Sequence, residues 1–263
     1  MLGRMWAIAL NTFREAARIR VLYGILIVVV AFNLGAIVVG ELSINEQARV
    51  ARDMGLAGIS LIGSLTAIVL GVILLYGEVQ RRTIYAIVTK PIARWEFVVG
   101  KYLGMALVLT VLVALFTAAM VGLLAYQGVA VTAAVGKAVL LAWMEVLTVA
   151  AIAVFFSSFS SPFLSGVFAL ALFAIGRITP DLRNAAKGAD AGWIRAVADA
   201  TLRAVPDLHL FSVSGRTVDG HVVSVHADFV SWGYLATAAG HGFLWSAALL
   251  VLACVMFQRR DFV

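Results

Sequence analysis

The chain has 263 residues, 63% of them hydrophobic and only 13% charged, with a mean hydropathy of +1.02. Soluble domains are about half apolar and a quarter charged, so this composition excludes a soluble protein and indicates a polytopic membrane protein. The net charge of +6 and pI near 9.8 then belong to topology and to anionic lipid headgroups, not to nucleic acid. A single cysteine, Cys254, excludes a disulfide framework or a thiolate cluster within the chain.

Residues 1–20, MLGRMWAIALNTFREAARIR, have no continuous apolar core or small-residue cleavage site and are not expected to be a cleaved signal. At 100° per residue, Leu2, Trp6, Leu10, Phe13 and Ala17 fall on one stripe, with Arg4, Asn11, Arg14, Glu15 and Arg18 opposite and Ile8 out of place on the polar side. The pattern predicts a helix lying in the membrane interface. Trp6 and Phe13 sink to headgroup depth there, and Arg14, Arg18 and Arg20 meet anionic lipid. The alternative is a cytoplasmic continuation of the first span.

Apolar runs follow at about 21–40, 56–77, 102–126, 138–156, 163–178 and 235–257. Each is close to the ~20 residues that a helix needs to cross a bilayer. Four Lys and Arg precede the first run, five lie between Arg81 and Lys101, and Arg259 and Arg260 follow the last. Those eleven, against Arg49, Arg52 and Lys137 in the short segments opposite, place both termini in the cytoplasm. The fourth and fifth runs are separated only by SSFSSP, residues 157–162. A tight cytoplasmic turn is expected at Pro162, which lacks a backbone donor. One long kinked helix is the alternative, and would move the following segment to the cytoplasm.

Residues 177–234 form a long outer segment that carries six aspartates against six arginines and lysines. Its first half places Ile194, Val197, Ala198 and Leu202 on one face of an amphipathic helix. Its second half has turn signals at Ser214-Gly215 and Asp219-Gly220 and is expected to form a short hairpin or irregular cover. Trp232 and Tyr234 mark re-entry at the outer interface. The expected fold is all-α and membrane-integral, in one domain over 1–263: six transmembrane helices, an interfacial helix at 1–20 and the outer segment.

No phosphate loop is present, since Gly136-Lys137-Ala138 and Gly100-Lys101-Tyr102 lack both the upstream glycines and the hydroxyl. The chain is therefore not expected to hydrolyse ATP. Glu145 is the one carboxylate inside a span, either lining a translocation path or serving as a packing group. His209, His221, His226 and His241 do not share a helix or strand face, so a metal site would need tertiary convergence. No G-x-S-x-G or H-E-x-x-H motif accompanies the serines at 157–161. Gly100 and Gly104 form a G-x-x-x-G that permits close helix approach.

The segment 77–104, GEVQRRTIYAIVTKPIARWEFVVGKYLG, contains Glu78, Arg82-Thr83, Lys90-Pro91-Ile92, Arg94, Phe97 and Gly100-Lys101, then Leu103-Gly104. With Pro206-Asp207-Leu208, Phe211 and the terminal 257–262 stretch, the chain resembles the permease subunits of type-2 ABC exporters. Within these it is similar to the branch described as multicopper-enzyme maturation permeases. The resemblance implies a non-catalytic subunit of a bacterial inner membrane, paired with a second permease, the same or a sister chain, and with two ABC ATP-binding subunits. Those partners, not this chain, would hold ATP and magnesium; the chain itself is expected to carry no cofactor or metal. It also leaves room for a periplasmic partner and implies no nucleic acid. The segment 78–101 would be the coupling segment, with Glu78, Arg81, Arg82, Thr83, Lys90, Pro91, Arg94 and Lys101 at the ATPase. A short helix over 83–88 ahead of Lys90-Pro91 agrees with the residues, as does a basic face for an acidic partner.

Overall fold

The computed structural model describes residues 2–41, 47–80, 93–188, 192–212, 217–218, 221–222 and 230–258. Helices dominate: α1 (Leu2–Ala17), α2 (Arg20–Glu41), α3 (Gln47–Gln80), α4 (Arg94–Tyr126), α5 (Ala133–Phe159), α6 (Pro162–Arg177), α7 (Thr179–Gly188), α8 (Gly192–Ala204) and α9 (Trp232–Gln258). The protein is all-α and membrane-integral. Among the described residues, five helices are long and apolar enough to cross a membrane, and six if the bent pair α6 and α7 is taken as one span.

The helices overrun the apolar runs. At 1.5 Å per residue α3 and α4 are about 50 Å long, and they begin nine and eight residues ahead of runs two and three. Arg94, Glu96 and Lys101 therefore belong to the first two turns of α4 instead of a connecting segment. The Glu96 carboxylate accepts the Ala93 N–H at 3.3 Å and satisfies one of the backbone donors that a helix start leaves over. At the far end of α4, Gly128 adopts φ +70°, and the Val129 N–H donates to the Leu124 carbonyl at 2.9 Å, closing the helix with a left-handed residue.

Residues 157–162 form a turn and not a kink. Ser160 and Ser161 are extended, and Pro162 occupies the first turn of α6, where its missing N–H costs nothing. The Ser165 hydroxyl donates to the Phe156 carbonyl at 3.1 Å, and the Phe156 and Phe168 rings lie 5.5 Å apart. Residues twelve apart on one continuous helix would be about 18 Å apart. Thus α5 and α6 fold back on one another; α6 runs in the direction of α4, and α9 in that of α3 and α5, as the alternation requires. The fifth run is shorter than a full span: α6 has 16 residues and bends by 61° into α7.

The outer segment holds two helices where one amphipathic helix was expected. Gly188 and Gly192 flank the break between α7 and α8, and glycine is the poorest helix former after proline. Ala198 is buried and Leu202 half-buried, but Val197 is exposed. A 3-10 turn, Leu208–Phe211, follows, and then a two-stranded hairpin, β1 (Thr217–Val218) with β2 (His221–Val222). The register pairs Val218 with His221 across residues 219–220, where Asp219-Gly220 signals the turn. The second turn signal, Ser214-Gly215, lies outside the described residues.

Packing of α1 adds a protein-facing side to the expected stripe. The face against the bundle is Ile8, Ala9, Thr12 and Ala16, with Ala9, Thr12 and Ala16 fully buried, not the stripe through Trp6 and Phe13. Trp6 remains 54% exposed, Phe13 is half-buried against the core, and Arg14 and Arg18 are exposed. The helix thus has three faces, for protein, lipid and water, and Ile8 is a contact residue. The Gly100 and Gly104 pair serves this docking: a Cβ at Gly104 would lie 2.5 Å from the Ala9 carbonyl oxygen, and one at Gly100 would lie 2.9 Å from Ile8 Cβ. Replacing Gly104 by leucine is expected to cost about 1–3 kcal/mol through overpacking and to release α1. Trypsin cleavage at Arg14, slow while α1 is docked, should rise at least tenfold; an unchanged rate would show that α1 does not rely on this contact.

Candidate functional site

Glu145 lies midway along α5 and is fully buried. Burial of a carboxylate is expensive unless it is paired and hydrogen-bonded, and the tertiary structure supplies both. Arg177, the last residue of α6, places Nη1 2.7 Å from Glu145 Oε1. The Ser60 hydroxyl from α3 donates to Glu145 Oε2 at 2.6 Å, and the same Arg177 nitrogen donates to Ser60 Oγ at 2.6 Å. Three side chains from three helices close a ring, so the acid, the base and the hydroxyl fix each other's rotamers. The Arg177 side chain is 30% exposed, into a cavity of about 160 Å³ that Asp53, Ala142, Phe211 and Ser212 also line.

The 3-10 turn covers this cavity. Leu208 is fully buried and Phe211 nearly so, because two glycines make room: Gly176 lies beneath Leu208 and the Pro206 carbonyl, and Gly242 faces the Phe211 ring. Asp207 holds the turn by accepting from the His209 N–H at 3.1 Å and the Thr179 hydroxyl at 2.5 Å. The Tyr234 hydroxyl donates to the Leu210 carbonyl at 2.6 Å, so the re-entry tyrosine is tied to the turn. Lys137 completes the cover, donating to the Val230 carbonyl at 2.8 Å with its ammonium 4.9 Å from the Trp232 ring centre, a cation–π arrangement. Chemically the site is a polar knot with a water-sized opening beneath a plug. It places a carboxylate and a guanidinium where α3, α5 and α6 meet.

At the opposite end lie the residues expected to meet an ATPase. Glu78 is on the last turn of α3, its side chain outside the described residues, as are Arg81, Arg82, Thr83, Lys90 and Pro91 and the helix expected at 83–88; the side chain of Arg20, which opens α2, is also outside them. Two members are described, and both are engaged within the chain. Arg94 Nη1 donates to the Gln258 carbonyl at 2.8 Å, binding the last carbonyls of α9, where a cation is favoured. Phe97 stacks on Phe257 at 5.8 Å beside it. Lys101 is only 3% exposed and pairs with Glu15 of α1 at 3.0 Å. Its ammonium ties α1 to α4 within this chain.

Sequence reading singled out Glu145 but missed Arg177, Ser60 and the Glu15–Lys101 pair. The available signal for Arg177 was a lone arginine closing an apolar run, since a charge at membrane depth calls for a partner. Among the described residues no three of His, Cys, Asp and Glu come together as a metal group.

A family model described as ABC-2 family transporter protein matches residues 6–262. No curated protein matches the chain.

Arg177→Leu leaves the Glu145 carboxylate buried without its cation and is expected to lower stability by about 3 kcal/mol. Adding Glu145→Leu should restore at least half of the loss, as read by denaturant unfolding in detergent. A single variant as stable as the parent would mean that the pair does not hold α5 and α6 together.

Proposed function

The chain belongs to the ABC-2 family of transporter proteins and is a multi-pass membrane permease subunit of an ABC transporter, a family that partners ABC ATP-binding subunits; from this premise we propose that it couples ATP hydrolysis in two such subunits to export or lipid-side extrusion. In this reading a second permease chain completes the complex in a bacterial inner membrane, with both termini cytoplasmic. Segment 78–101 meets the ATPase. The placement in the multicopper-maturation branch rests on the string from Glu78 to Gly104.

The observation that carries the reading is the clamp at the start of α4. Arg94 and Phe97 grip the end of α9, while Lys101, Gly100 and Gly104 grip α1. A displacement applied at the start of α4 would therefore bear on α1 and on the end of α9, which α4 holds. The Ser60–Glu145–Arg177 ring joins α3, α5 and α6, and α9 packs along α5, so the displacement reaches the ring through packed helices. The outward apolar face of α2, of which the span 22–40 is only 18% buried, faces lipid or the second permease.

Arg82→Glu tests the coupling role without disturbing the Arg94–Gln258 contact. Co-expressed with its ATP-binding subunits, the variant should insert normally yet retain less than a tenth of the ATPase in co-purification and of the substrate-stimulated turnover. Normal association and turnover would sink the coupling assignment, and transport by the purified chain without any ATPase would favour a secondary transporter.

A further inference from the structure

A second cavity, of about 570 Å³, opens at the end of the bundle opposite the start of α4, between α7, the end of α8, the 3-10 turn and the first half of α9. Its volume is that of a small-molecule or headgroup site, several times the opening beside Glu145. Its lining is mostly polar and carries two permanent cations. Arg183 and Lys187 stand one turn apart on α7, His209 projects from the 3-10 turn and His241 from α9, with Trp245 one turn further along α9. The one acid in the lining, Asp207, is already engaged by Thr179 and the His209 N–H and lies 3.8 Å from Arg183. Two permanent positive charges therefore face one carboxylate.

We propose that this cavity binds a phosphate-bearing ligand of headgroup size. Donors arrive from three separate elements, which suits a tetrahedral oxyanion better than the planar, two-oxygen grip that one arginine gives a carboxylate. His241 Nε2 is buried with no hydrogen-bond partner among the described residues, and buried polar atoms in folded proteins are nearly always satisfied. His241 lines the cavity, and a rotation of its imidazole toward the opening would bring that nitrogen to an oxyanion. The Trp245 ring gives the non-phosphate part of the ligand a flat apolar wall. On the other face of α7 is an apolar cavity of about 400 Å³, lined by Ile178, Leu182, Ala185, Trp193 and Val197, so an amphiphile would find polar and apolar volume within one helix width. The inference concerns a binding site in this chain alone and stands or falls independently of the ATPase coupling.

The test titrates the full chain in neutral detergent with short-chain phosphatidylglycerol, with diacylglycerol, with glycerol phosphate and with inorganic phosphate, reading binding by native mass spectrometry and thermal shift. Saturable one-site binding of phosphatidylglycerol and not of diacylglycerol is expected. Arg183→Gln with Lys187→Gln should weaken it at least tenfold, and His241→Ala should weaken it independently. Arg203→Gln, which removes a charge on α8 outside the lining, should leave it unchanged. Glycerol phosphate binding within tenfold of the lipid assigns the site to soluble phosphate esters, whereas a lipid preference above a hundredfold assigns it to a membrane headgroup; both support the phosphate. Absence of saturable binding, or equal affinity in the parent and in the lining variants with unfolding temperatures unchanged, overturns the proposal.

Discussion

Charge cannot be left unpaired at membrane depth, and the contact that satisfies this constraint here is the Arg177–Glu145–Ser60 ring. An isolated carboxylate in the bundle would cost several kcal/mol, so α6 must end where its arginine reaches the middle of α5. That requirement accounts for a fifth apolar run whose helix has only 16 residues and for its 61° bend into α7. Once α6 stops short, the bundle is open above it. The 3-10 turn fills the opening with Leu208 and Phe211, over two glycines that leave them space.

The other end is organised by a different economy of charge. Lys101 and Glu15 pair across α4 and α1, and Arg94 binds the closing carbonyl of α9. These contacts make the start of α4 the junction of three helices, next to the segment where the family expects a partner to push. One end is thus a three-helix junction, and the other a knot beneath a plug. The connection between them is mechanical: α3, α4 and α5 run the length of the bundle, and packed interiors transmit strain because they are dense.

Much of the fold was legible from the residues one by one. Apolar runs of span length, the Pro162 punctuation and the Asp219-Gly220 turn each act through local backbone chemistry, and each lies where the helices, the α5–α6 turn and the hairpin occur. What was missed has a shared origin. Residues 1–20 were read for the stripe that meets lipid, whereas the face docked on the bundle is made of the smallest side chains, because Gly100 and Gly104 reward close approach more than bulk. Lys101 was counted as a surface charge because its neighbours in sequence are charged, although Glu15 takes it up from another helix. One helix was expected over the first half of the outer segment, where low helix propensity at Gly188 and Gly192 marks the break.

The sequence by itself determined the solvent this protein lives in, the number and order of its apolar helices, and the absence of a phosphate loop. Each follows from composition or from spacing along one element, where the physics is local. Which charges pair, which glycines are contacts and which polar side chains share a cavity were decided only in three dimensions. Glu145 meets a serine 85 residues before it and an arginine 32 residues after it, and Lys101 meets a glutamate 86 residues away. The pull of burial fixes that a buried charge must find a partner; only the packing of the helices determines which one.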